Sequence, residues 1–317
     1  HQYCEEMQRR HPYTMLASST HDTKRSEDVR ARISLLSQIP GRWRTAVRRW
    51  ARINAKHKQD EFPDRNTEYL LYQTMLGAWF IPVERMQAYM EKACREAKQQ
   101  TSWISPHVAF EKALKDFIKA IYEEPEFRVD FEEFVAALIE PGRVQSLAQT
   151  LLKLTAPGVP DIYQGMELWE LSLVDPDNRR PVDYVLRRRL LAELPSLTVD
   201  QIVGRADEGL PKLFTIWKTL HVRRNHPDAF GESGGYSPLP AEGSKADYVL
   251  GYLRGTDIAV VVPRLVLGLH HSWSSTTIRL PAGRWKDVFS GAAIEGGAVK
   301  VQELFTSFPI ALLVREG

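Results

Sequence analysis

The hydrophobic pattern of the chain changes character along its length. After Pro12, the run "YTMLASS" has the length and apolar content of a short buried strand. It stops abruptly at His21 and Asp22. The next run, "RSEDVRARISLLSQIPG", predicts a helix. Ser26 is its candidate N-cap, Glu27 and Asp28 suit the positive end of the dipole, and Val29, Ile33 and Leu36 recur on one face. Pro40 and Gly41 predict its end.

From Arg42 to about Leu154 the pattern predicts mostly helix. Trp43, Val47 and Trp50 form one stripe among arginines. "SPHVAFEKALKDFIKAIYEE" offers Ser105 as a cap, Pro106 at the first helical position and an apolar face of Phe110, Leu114, Phe117 and Ile121. "FEEFVAALIE" and "GRVQSLAQTLLKLTAPG" continue the helical pattern. "GVPDIYQG" then predicts a second short strand, followed by a polar loop and further helices in "VLRRRLLAEL" and "PKLFTIWKTLHVRRN". From Ala246 the period shortens to two, predicting strands in "DYVLGYLR", "DIAVVVPRL", "STTIRLPAG", "RWKDVFSG" and "FPIALLVRE". The stretch 230–245 is the most linker-like and predicts a boundary.

At 317 residues, 43% hydrophobic and 26% charged, the chain has globular composition and enough length for about two domains. A net charge of +2 supplies no global field toward nucleic acid or an anionic membrane. No apolar run approaches the ~20 residues of a membrane span. Cys4 and Cys94 give neither a disulfide framework nor a zinc pattern, and their sparse use fits a reducing cytoplasm. The opening "HQYCEEMQRRHP" reads as the later turns of a helix, so the chain is expected to be a piece of something longer.

Two places carry candidate chemistry. The first is His21–Asp22 with Lys24 and Arg25, between a strand and a helix, where barrels of alternating strands and helices gather their chemistry. A carboxylate there accepts substrate hydroxyls or opposes developing positive charge. A plainer role competes: Asp22 caps a turn and His21 is structural. The second is the loop from Asp175 to Asp183, where Asp175, Asp177, Asn178, Arg179 and Arg180 either line a polar cleft or satisfy one another. Trp43 and Trp50 have helical spacing and read as core anchors. Cys94 reads as a small buried apolar residue, and His270–His271 as surface histidines.

The His21–Asp22 pair, the run Gly158, Pro160, Tyr163, Gly165, Glu167 and the "DPDNRRP" loop resemble the α-amylase superfamily, glycoside hydrolase family 13. More narrowly, "SSTHDTKRSEDVRAR", "YLLYQTMLGAW", "REAKQQTSW" and "PGVPDIYQGMELWELSLVDPDNRRPVDY" resemble the maltooligosyl trehalose synthase family, over essentially the whole chain and in the family's order. The resemblance implies an α/β plus all-β fold: the late strands of a (β/α)8 barrel with a large helical insertion, then an antiparallel β-sandwich. The expected divisions are 1–41 (strand seven and its helix), 42–154 (insertion), 155–229 (strand eight, substrate loop, closing helices) and 230–317 (sandwich).

It also implies an intramolecular transglycosylase, an isomerase that remakes the reducing-end α-1,4 bond of a maltooligosaccharide as an α,α-1,1 bond with retention. Asp22 matches the superfamily's third carboxylate and His21 a hydroxyl donor to the same sugar. Lys24, Arg25, Asp175, Asp177, Asn178, Arg179 and Arg180 match family strings as substrate-binding residues, while Glu167 and the glycines shape the turn. The nucleophile and the acid follow earlier strands absent from this chain, so the piece alone is expected to be inactive. No cofactor or metal is implied. Expected partners are α-1,4-glucan and, metabolically, a maltooligosyl trehalose trehalohydrolase, with no nucleic acid and no membrane. Another α-amylase-type glucanotransferase or hydrolase, or a noncatalytic glucan-binding module, remains an alternative reading.

Overall fold

A computed structural model describes residues 1–269 and 272–316, so His270 and His271 lie outside the described residues. Its helices include α1 (Gln2–Arg10), α2 (Glu27–Ser34), α3 (Pro40–Ile53), α4 (Arg65–Ala78), α5 (Val83–Ala97), α6 (Val108–Glu123), α7 (Pro125–Thr155), α8 (Tyr184–Glu193), α9 (Val199–Gly204) and α10 (Leu210–Asn225). Its strands are β1 (Met15–Leu16), β2 (Val159–Pro160), β3 (Tyr236–Pro238), β4 (Ala241–Glu242), β5 (Val249–Arg254), β6 (Ile258–Pro263), β7 (Thr277–Asp287), β8 (Ala293–Lys300) and β9 (Ala311–Arg315). The fold is helical plus an antiparallel sheet. The chain divides into two compact units: residues 21–142 with 171–180, and residues 1–20 with 143–170 and 181–317. No helix among the described residues is long and apolar enough to cross a membrane.

The first unit is built around Trp50 of α3, which is fully buried. Its ring meets Trp43, Tyr72, Phe127, Phe131 and Phe134 at centroid separations of 5.0–5.9 Å, mostly edge to face, as ring quadrupoles favour. Its indole N–H donates to Asp130, which also takes a forked bond from Arg49 at 2.7 and 3.1 Å. Trp43, Ala46 and Trp50 form the buried stripe of α3; Val47 is half-buried, and Arg42, Arg44 and Arg48 face solvent. Cys94 is buried, and burial pushes its thiol up to about 11.

Two predicted boundaries in this unit shift. Pro40 opens α3 rather than merely ending α2, which tightens into a 3-10 turn at Leu35–Gln38. α6 begins at Val108, past Pro106, because side chains hold the preceding loop: Thr101 Oγ1 accepts the His107 N–H at 2.9 Å, and Ser102 Oγ accepts the Ser105 N–H at 3.0 Å. The segments predicted as separate helices after Pro125 form the single 31-residue α7, with Pro141 in its interior.

In the second unit, "YTMLASS" forms less strand than predicted. Only β1 pairs, in parallel with β2, through Val159 N–H to Thr14 O and Asp161 N–H to Leu16 O, both 2.8 Å. Among the described residues each of these strands pairs only with the other, and Met15 is 71% exposed. The sheet runs β3-β5-β6-β9-β7-β4, with β8 on β7. β6 is buried throughout because both its faces are covered. Ile258, Val260 and Val262 pack with Leu210 and Phe214 of α10, whereas Ala259 and Val261 pack with Ile278, Leu280 and Trp285. "STTIRLPAG" and "RWKDVFSG", predicted as two strands, are one strand, β7, with a register shift between Leu280 and Arg284 at Gly283. The linker-like stretch 230–245 contains the strands β3 and β4.

Candidate functional site

All nine sequence-predicted site residues fall in the helical unit, on two loops that backbone hydrogen bonds join. Ser26 N–H donates to Ser172 O (3.0 Å) and Val174 N–H to Lys24 O (3.1 Å), with an antiparallel bridge between Arg25 and Leu173. Asn178 Nδ2 donates to His21 O at 3.0 Å, across 157 residues of sequence. The pairing fixes the two loops as one structure, because each such bond, left unmade in a buried place, costs ~1–3 kcal/mol.

Two of these residues hold the loops from beneath. Asp177 takes a forked bond from Arg85 of α5 (2.6 and 2.7 Å), accepts the Leu173 N–H (2.8 Å) and lies 3.2 Å from Arg180 Nε. Burial alone would push its carboxyl up; the Arg85 bond, the Leu173 N–H and the arginine charges overcome this and hold it below the usual range. Arg25 turns inward and donates to Thr74 of α4 at 2.9 Å.

The others stay accessible. Asp22 is the most open, with 80% of its side chain exposed, and lies 3.2 Å from the His21 imidazole, itself 52% exposed. Asp175 Oδ1 accepts from Lys92 of α5 (2.9 Å), whose ammonium also donates to Asp175 O (2.7 Å); Arg179 stands 4.0 Å from its other oxygen. The Lys92 bond lowers the Asp175 carboxyl, burial opposes it, and Lys92, Arg179 and His21 deepen the lowering. Lys24 pairs with Glu96 at 2.8 Å, which raises its ammonium. Arg179 and Arg180 are exposed.

Arg85, Lys92, Glu96 and Thr74 escape sequence reasoning. Thr74 falls within "YLLYQTMLGAW" and Glu96 within "REAKQQTSW", two of the family-like strings, but Arg85 and Lys92 lie outside all of them. Among the described residues, no group of three or more His, Cys, Asp and Glu side chains is placed to hold a metal ion. The arrangement therefore offers an open carboxylate beside an imidazole, flanked by lysine, arginine and amide donors. Its chemistry suits hydroxyl-rich ligands, since a carboxylate accepts from hydroxyls and the cations donate to them.

No protein-family model matches the chain. A Mycobacterium tuberculosis protein named as a maltooligosyl trehalose synthase is 40% identical over 313 residues, which is 96% of this chain and 38% of that one. The solved maltooligosyltrehalose synthase of Arthrobacter ramosus superposes with a TM-score of 0.89 at 37% identity, covering 100% of this chain and 40% of the other. The glycosyltrehalose synthase of strain DSM5389 does so with 0.83 at 31% identity, covering 99% and 40%. The chain thus spans about 40% of the length of the relatives it matches. Over nearly its whole length, this chain is similar to a C-terminal portion of maltooligosyl trehalose synthases.

Proposed function

We propose that the chain supplies the substrate-gripping part of an intramolecular transglycosylase that converts the reducing-end α-1,4 bond of a maltooligosaccharide into an α,α-1,1 bond. In that reading β1 and β2 are the last two strands of a (β/α)8 barrel of the glycoside hydrolase family 13 type. Residues 42–154 are its helical insertion, and the sheet from residue 230 is its terminal sandwich. The enzyme is cytoplasmic and its product passes to a trehalohydrolase. The single observation that carries the reading is the joining of the 21–25 and 171–180 loops, with Asp22 left open beside His21.

Retention requires two displacements at one anomeric carbon, hence a carboxylate nucleophile and a carboxylic acid, both from residues outside this chain. Asp22 takes the remaining role. It accepts hydroxyls of the sugar beside the reacting carbon, and its charge opposes the positive charge that develops on the ring. His21 donates to a hydroxyl of the same sugar. Lys24, Asp175, Asn178 and Arg179 contact the neighbouring glucose, while Asp177, Arg25 and Arg180 keep their loop in place. The reaction consumes no water: the C1–O4 bond breaks and C1 is transferred to the anomeric oxygen of the released glucose.

The test appends the chain to the N-terminal part of the Arthrobacter relative and incubates the chimera with maltopentaose. Reducing ends disappear without glucose release if the reading holds; new reducing ends indicate a hydrolase. The 317-residue chain alone leaves maltopentaose unchanged, and a trehalose-ended product from it alone would overturn the assigned division of labour.

A further inference from the structure

The loop that holds Asp175 and Asp177 also lines a cavity of about 550 Å³ in the same unit, whose apolar wall is made by Trp103, Tyr89, Ala88, Val174 and Pro176. Its volume falls within the ~300–1,000 Å³ of small-molecule pockets. Trp103 is 57% exposed, yet it is not loose. The Arg95 guanidinium stacks on its ring at 4.8 Å, and Arg95 is itself held by a two-pronged bond to Glu111 (2.7 and 2.7 Å) and by Glu91 at 2.6 Å. Thr101 donates to the same Glu111 at 2.7 Å and accepts the His107 N–H at 2.9 Å, which anchors the loop carrying Trp103 on both sides. The indole is thus an open aromatic wall, fixed before any ligand arrives. Fixing it beforehand removes the ordering cost that binding would otherwise carry.

The charged groups around the cavity select against an anionic ligand. Arg85 and Arg180 are committed to Asp177 and Lys92 to Asp175, while Glu84 and Glu91 add negative charge, so an anion would have to break a pair to enter. These paired groups still have N–H groups and lone pairs to offer to neutral hydroxyls. A neutral ligand with one apolar face and hydroxyls around its edge fits an aromatic wall with such a rim, and a pyranose ring has that form.

We infer that the Trp103 cavity is a second glucan-binding site, which takes an α-1,4-linked glucosyl stretch against the indole ring. The inference rests on the proposed reading of the chain as a glucan enzyme, and adds to it a binding place distinct from His21–Asp22. Asp175, which lines the cavity with Lys92 and also pairs with Arg179, connects the two.

The test titrates the 317-residue chain with maltoheptaose by calorimetry, with cellohexaose as the β-linked control. Trp103→Ala weakens maltoheptaose binding at least about tenfold, the equivalent of ~1.4 kcal/mol, while Trp103→Phe keeps an aromatic wall and most of the affinity. Ala88→Trp fills the cavity from an exposed helix position and removes the binding without touching Trp103. Both sites are solvent-facing, so thermal midpoints stay close to wild type. If maltoheptaose binds and neither Trp103→Ala nor Ala88→Trp weakens it, the cavity is not the site, and the glucan reading survives without it. If maltoheptaose does not bind the wild-type chain at all, the cavity assignment fails and the glucan reading loses its support in this chain. Equal affinity for cellohexaose overturns the α-1,4 assignment alone.

Discussion

Asp177 offers the sharpest energetic test, because the structure assigns it to holding the loop while the family-like sequence string marks it as a ligand contact. In Asp177→Ala, Arg85 loses a forked carboxylate at 2.6 and 2.7 Å, and the Leu173 N–H loses its acceptor. Stripping one partner from a buried pair costs ~3–5 kcal/mol. Arg85 keeps about a quarter of its side chain in water, which lowers that part, while the stranded amide adds ~1–3 kcal/mol. The expected cost is ~3 kcal/mol, on the order of 5–10 °C in midpoint. The double variant with Arg85→Met costs less than the sum of the singles by about 2 kcal/mol, because each single variant removes the same bonds. Amide exchange at Leu173 accelerates in both. The pH dependence has a fixed sign. The folded Asp177 carboxyl lies below its unfolded value, so its contribution is present above the ordinary carboxylate range and is lost as pH falls through the lowered folded value. Asp177→Asn loses that dependence. A midpoint change under about 1 °C, or additive singles, would refute the claim that this carboxylate holds the loop.

Three further outcomes follow from the packing. Trp50→Ala empties the centre of the aromatic cluster and removes one donor from the Asp130 carboxylate, which keeps Arg49, costing ~3–5 kcal/mol by urea unfolding. Gly158→Ala places a methyl group 2.6 Å from Leu16 Cγ and 2.7 Å from Thr14 O at a φ of +138°. It should destabilise by ~1–3 kcal/mol and speed exchange of the Val159 amide. Glu111, which the Arg95 bond holds down to about 2, gives stability that persists above the ordinary glutamate range and is lost as pH falls toward about 2. Acid unfolding of Glu111→Gln lacks that component.

The helical unit was legible wherever burial follows a stripe: Trp43, Trp50, Phe110, Leu114, Phe117 and Ile121 are all buried as their spacing implies. Helix starts were less legible, since the start of α6 depends on Thr101 and Ser102 side chains that compete with the helix for backbone groups. β8, "AIEGGAVK", carries two adjacent glycines and weak alternation, and pairs only because β7 lies beside it. β3 and β4 were hidden for the same reason, inside a glycine- and proline-rich stretch that reads as a linker. For the site, residue types located both loops, but their joining depends on contacts 157 residues apart, which no local pattern encodes. Nor does a local pattern separate Asp177, turned to Arg85, from Asp22, open to solvent.

The central claim is that the Asp22 charge acts on a sugar in its transition state. The direct measurement is kcat/KM of the chimera and its Asp22→Asn variant on maltopentaose, together with their thermal midpoints. The side chain is 80% exposed, so the midpoint stays within about 1 °C, while kcat/KM falls ~10²–10³-fold, chiefly in kcat. A variant that keeps kcat/KM within about threefold of wild type would contradict the account.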